Sequence, residues 1–197
     1  NRMDPPASQV SSVLLESVEL TQGAFDLSTS GSLGGSVAIE TRQPSEQDFL
    51  SLGYQYGSFG QQSGTLLATG WAPGVESLLA AEYTRSDPYE DGDGRRLTDF
   101  PDASDWPLDD YLERYRDATA YEELHFAGKT RFSVGQGRSI ELAYRLRQDE
   151  DVLYPGLRMD ADLTRTQEAA MTYLWGGEGA ASDSGRFRVY YNWTDHD

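Results

Sequence analysis

LHFAGKTRFSVGQGRSIELAYRL, Leu124 to Leu146, alternates large apolar residues with polar ones on either side of a glycine turn. Leu124, Phe126, Phe132 and Val134 fall on one face of an extended chain, and His125, Lys129, Arg131 and Ser133 on the other. After GQGR the alternation resumes, with Ile140, Leu142, Tyr144 and Leu146 against Glu141, Ala143, Arg145 and Arg147. A period of two marks strands with two unlike faces. Two such runs across a short glycine turn predict an antiparallel hairpin. Long charged residues in mid-strand, such as Arg145, mean that the second face meets water or other polar groups.

The same pattern extends in both directions. LSLGYQY sets Leu50, Leu52, Tyr54 and Tyr56 on one face, TLLATGW groups Thr65, Leu67, Thr69 and Trp71, and SLLAAEYT aligns Leu79, Ala81 and Tyr83. EAAMTYLW follows, and RFRVYYNW places Phe187, Val189, Tyr191 and Trp193 against Arg186, Arg188, Tyr190 and Asn192. Connections alternate between short ones (PGV, GQGR) and long ones, the acidic stretch 86–117 and DEDVLYPGLRMDADLTR. Short turns at one end and long loops at the other are the signature of an outer-membrane barrel. Trp71, Tyr83, Trp175 and Trp193 lie near strand ends, as interfacial aromatic girdles require.

The 197 residues carry a formal charge of −17, which argues against a general nucleic-acid binder, because neutralising phosphates takes Lys and Arg. There is no cysteine, hence no disulfide framework and no thiolate chemistry. No run of 18 apolar residues provides a membrane helix. A mean hydropathy of −0.62 suits a soluble protein, but it equally suits membrane strands that alternate lipid-facing and lumen-facing residues.

Before Phe49 the strands are shorter. Val18 and Leu20 share a face, as do Val37 and Ile39, and Pro44 in RQPSEQD marks a boundary. GSLGGSVAIETRQP, Gly31 to Pro44, holds three glycines in five residues. It lacks the Gly-Lys-Ser/Thr and GxGxxG patterns of phosphate loops, so its glycines serve tight turns and close backbone approach.

ESVELTQGAFDLSTSGSLGGSVAIETRQP resembles the end of the plug domain of TonB-dependent outer-membrane receptors, where an IEVLRGP-type strand precedes G-x-LGG-x-I-x-I-x-T and then the barrel. LGYQYGSFGQQSGTL is similar to their first barrel hairpin. The chain departs from the pattern at Gly23-Ala24, where the family has Gly-Pro, and around Ser30-Gly31, where it has Tyr-Gly. The resemblance implies an all-β fold. Residues 1–44 form the C-terminal part of a plug, and 45–197 the N-terminal part of a transmembrane antiparallel barrel of 22 strands. It implies uptake of a scarce metal or metal chelate across the outer membrane of a Gram-negative bacterium. The work would be driven by TonB through an upstream segment, with outer-membrane lipid and lipopolysaccharide as neighbours, and without enzymatic activity.

NRMDPP resembles the start of a copper-uptake subgroup, in which the Met of an MDPP segment binds copper together with a Cys four residues earlier. The matching residue is Met3; the Cys position would precede Asn1. A His-x-Met pair on the barrel completes such sites, and His196 is the candidate for its His, with the Met position falling after Asp197. Copper is then the transported ligand and no resident cofactor is implied. Met3 also reads as a plug-loop residue packing on the wall, His196 as a loop histidine and His125 as a polar wall residue. DPYEDGDG hints at a calcium loop, but counted from Asp87 its third and twelfth positions are Tyr89 and Thr98, so the pattern fails. NWT at Asn192 matches a glycosylation sequon inside a predicted strand. No catalytic set stands at a recognisable spacing. Two alternatives remain: a siderophore-iron receptor of the same fold, and a soluble β-sandwich that binds carbohydrate on aromatic platforms. A lipid band requires Phe187, Val189, Ile140 and Leu142 to share one exposed surface, whereas a sandwich packs or wets both faces.

Overall fold

A computed structural model describes residues 10–23, 34–96, 119–152, 161–176 and 184–196. The chain divides into two compact units, Asn1–Gln43 and Pro44–Asp197.

In the first unit a 3-10 turn, Ser12–Leu14, leads into β1 (Leu15–Gln22), which pairs antiparallel with β2 (Gly35–Thr41). Val18 stands opposite Ile39 and Leu20 opposite Val37, so the apolar alternation defines one face of the ribbon. Arg42 ties its base, donating from its backbone N–H to the Leu14 carbonyl (2.8 Å) and from Nε to the Val13 carbonyl (3.2 Å). Gly35 has φ 133°, and a Cβ there would overlap the Thr21 carbonyl oxygen. The glycine is therefore needed for close backbone approach. A strand rather than a helix follows it, so the stretch is no phosphate cradle.

The second unit is a single seven-stranded antiparallel meander. Its strands are β3 (Phe49–Tyr56), β4 (Gln62–Ala72), β5 (Val75–Ser86), β6 (Tyr121–Gly135), β7 (Arg138–Val152), β8 (Ala161–Trp175) and β9 (Gly185–His196), and each pairs with the next. Two-residue turns, Pro73-Gly74 and Gln136-Gly137, join β4 to β5 and β6 to β7 at one end of the sheet. Gly74 (φ 79°) and Gly137 (φ 62°) adopt the left-handed conformation that such turns need. The strands run further than expected. Gln148 to Val152 and the run from Ala161 continue the β7–β8 ladder, so DEDVLYPGLRMDADLTR is not wholly a loop. The acidic residues there are held by partners as well as by the ladder: Asp149 is buried and accepts from Arg147 Nε.

Register separates the two faces. On the outer face Ile140 stands opposite Tyr173, itself opposite Phe187; the adjacent row is Leu142, Met171 and Val189. Phe187 is 58%, Val189 51% and Leu142 46% exposed, so the four diagnostic residues share one side and three of them are open. The apolar rows run from Phe132 to Leu124 on β6. At ~3.4 Å per residue this is ~27 Å along the strand. A tilt of ~40° reduces it to ~21 Å, close to the ~25 Å apolar band of outer-membrane barrels. Past Leu124 the outer face becomes charged, in the row Arg85, Glu122 and Glu150.

The inner face is inverted. The buried apolar residues described in this unit, Leu67, Leu78, Ala80 and Ala127, all lie there among polar neighbours. Within this unit the described strands form one sheet, without the second sheet that a sandwich would pack against it.

Candidate functional site

The polar face is built from cross-strand rows, because antiparallel register places residues of neighbouring strands side by side. Glu76, Arg131 and Glu141 form one such row across β5, β6 and β7. The Arg131 guanidinium donates to Glu76 Oε2 (3.2 Å) and Glu141 Oε2 (3.0 Å). Nearby, Glu168 accepts from both Arg145 and Arg188, the latter at 2.8 Å. One carboxylate between two guanidiniums and one guanidinium between two carboxylates leave a wall of nearly balanced charge.

Towards the loop end lies a buried cluster. Arg147 Nε donates to Asp149 Oδ1 (2.8 Å), and its Nη2 is 3.7 Å from Glu123 Oε1. His125, which is buried, has Nε2 3.8 Å from Glu123 Oε2. His125 is thus a wall residue facing a carboxylate. The alternation places each of these residues on the polar face, but which of them meet depends on register, which the bulge between Ser133 and Gly135 helps set. The meeting of Arg147 with Glu123 was for that reason not legible in the sequence, whereas Arg147 and Asp149 are i, i+2 neighbours on one strand face.

His196 ends β9 opposite Thr164, and its Nδ1 lies 2.7 Å from Thr164 Oγ1. That contact orients the ring and leaves Nε2 without a partner among the described residues. Met3 lies outside the described residues. No three His, Asp or Glu side chains gather as a metal cage among the described residues. The acidic turn that hinted at calcium caps itself: Asp91 Oδ1 accepts from the backbone N–H groups of Asp93 and Arg95 (both 2.9 Å), and Oδ2 from Arg95 Nε (3.0 Å). The Arg95 N–H, helped by that of Asp93 and by the Arg95 guanidinium, holds the Asp91 carboxyl below its usual range. Chemically the face offers charge recognition and an oriented imidazole.

No protein-family model matches the chain, and no curated protein matches it. Among solved structures the fold is similar to that of the copper transporter OprC, with a TM-score of 0.74 and 21% identity over 100% of this chain. The chain spans 28% of the length of that transporter. The likeness is one of fold, a nearly all-β antiparallel architecture like that of the TonB-dependent receptors that the sequence resembles.

Proposed function

We propose that this chain is part of a TonB-dependent receptor in the outer membrane of a Gram-negative bacterium, and that the receptor takes up copper. The observation that carries the reading is the two-faced sheet. Its outer face is an exposed apolar band of bilayer height that ends in a charged row, and its inner face is polar and charge-paired. Such a sheet fits lipid on one side and a polar lumen on the other. In this reading residues 1–44 belong to the plug and 45–197 to the barrel wall. Ligand binds from outside, TonB pulls on the plug, and a path opens along the polar face. The chemistry asked of the chain is binding and passage, without an enzymatic step. Copper rests on the Met3 segment, on His196 and on the fold likeness to a copper transporter. A thioether and an imidazole together suit a soft, late first-row ion.

The test is metal analysis of the full-length receptor purified in detergent, comparing wild type with Met3→Ala and His196→Ala. Retained copper in the wild type, lost in Met3→Ala and weakened in His196→Ala, is the expected result. Wild-type protein that takes up no copper on titration would end the copper reading, and binding of an iron chelate instead would favour the siderophore alternative.

A further inference from the structure

On the outer face, β7, β8 and β9 form a groove of about 230 Å³ lined by Tyr144, Gln167, Ala169, Tyr191 and Trp193. Cross-strand register builds it. Tyr144, Ala169 and Tyr191 stand in one row, and Leu146, Gln167 and Trp193 in the next row towards the loop end. The Ala169 methyl is a low floor between two tyrosines, in the row of Leu79 and Gly128 midway along the apolar band. The volume lies below the ~300–1,000 Å³ of small-molecule pockets, so a slender occupant fits it. Tyr144 Oη donates to Gln167 Oε1 (2.9 Å), which leaves the Nε2 donors of that amide without a partner among the described residues. An unmet donor facing hydrocarbon is costly. One row further, level with Leu124 where the band ends, Arg165 stands between Gln148 and Asp195. Arg165 Nε is buried without a hydrogen-bond partner among the described residues, and the guanidinium forms no ion pair with Asp195.

We propose that this groove holds one zwitterionic phospholipid, with an acyl chain over Ala169, an ester carbonyl on Gln167 Nε2 and the phosphate on Arg165. The three residues alternate along one face of β8, at intervals of ~7 Å. From mid-band to band edge they follow the order of a phospholipid: chain, ester, phosphate. Aromatic rings on both sides of the floor offer a chain broad apolar contact. A guanidinium fork at the band edge suits phosphate oxygens. Asp195 beside it disfavours a purely anionic headgroup and can meet the ammonium of phosphoethanolamine. The proposal rests on the membrane reading above and adds a specific lipid to it.

The experiment uses the full-length receptor in detergent micelles doped with phosphatidylethanolamine, phosphatidylglycerol or lipopolysaccharide, read by native mass spectrometry. Wild type is compared with Ala169→Leu, which fills the floor, and with Arg165→Gln, which removes the fork. Ala68→Leu adds the same bulk to the outer face on β4, away from the groove. The expected result is one phosphatidylethanolamine retained by wild type and by Ala68→Leu, bound about tenfold more weakly by Ala169→Leu and by Arg165→Gln. Should Ala169→Leu not fold, Ala169→Val narrows the groove less and should weaken retention severalfold. Equal retention by the folded groove variants, equal retention of phosphatidylglycerol, or a preference for lipopolysaccharide would each overturn the proposal. Insertion of wild type into lipid vesicles is measured alongside. Wild type that inserts but retains no phosphatidylethanolamine overturns the proposal and leaves the membrane reading standing, whereas wild type that does not insert removes both.

Discussion

Gly35 shows how a single residue determines a local geometry. Its φ of 133° and the backbone of Thr21 beside it exclude a side chain. Gly35→Ala should destabilise the β1–β2 ribbon by about 1–3 kcal/mol. Hydrogen exchange would show this as faster exchange in Leu15–Gln22 and Gly35–Thr41, and unchanged protection of those strands would contradict the account. Asp151 is a second such residue, at the loop end outside the apolar band and with φ 52°. Desolvation, reinforced by Glu122, Glu150 and Asp162, raises its carboxyl above the usual range. Because the folded-state value is raised, the ionised form costs stability above it, and that cost fades as pH falls from the raised value to the ordinary carboxylate value, below which it is gone. Asp151→Asn removes the charge and keeps a side chain tolerant of the left-handed region. It should stabilise by about 0.3 kcal/mol at pH 7 and by nothing below about pH 4. Denaturant midpoints at the two pH values measure this, and equal shifts at both would reject the electrostatic cause.

At the scale of the strand, the two faces should tolerate charge differently. Leu79 lies midway along the outer apolar rows, between Val75 and Tyr83 on β5, whereas Asn192 lies on the inner face opposite Glu168. Leu79→Arg should cost about 2–4 kcal/mol of folding free energy in a bilayer. Asn192→Arg should cost less than about 1 kcal/mol, since it meets a carboxylate across the ladder. Folding titrations into lipid vesicles separate the two, and equal costs would mean that lipid does not cover the outer face. The alternation that forecasts this asymmetry was legible in the sequence, but Trp71, expected in an interfacial girdle, falls on the inner face in the row of Glu76 and Arg131. Strand ends were less legible, because polar sequences pair as readily as they loop once no apolar row constrains them. The additional pairs of β7 with β8 arise in this way.

Among the described residues the second unit has two strands with an unpaired edge, β3 and β9, along with its exposed apolar rows. Unpaired strand edges and uncovered apolar surface both promote association. Residues 1–197 alone in plain buffer should therefore aggregate, and analytical ultracentrifugation should show no monomer. A monomer that unfolds cooperatively under those conditions would refute both the membrane reading and the need for further strands.

Periodicity by itself determined the all-β class, the seven strands and the composition of each face, because side-chain direction in a strand depends only on the parity of position. Composition excluded disulfide chemistry and argued against nucleic-acid binding. Only the tertiary structure decided which charges meet. Glu168 with Arg145 and Arg188, Arg131 between Glu76 and Glu141, and Arg147 with Glu123 all follow from cross-strand register. Register depends on turn lengths and a bulge acting across the sheet, so residues far apart in the chain become neighbours in ways that no local pattern records.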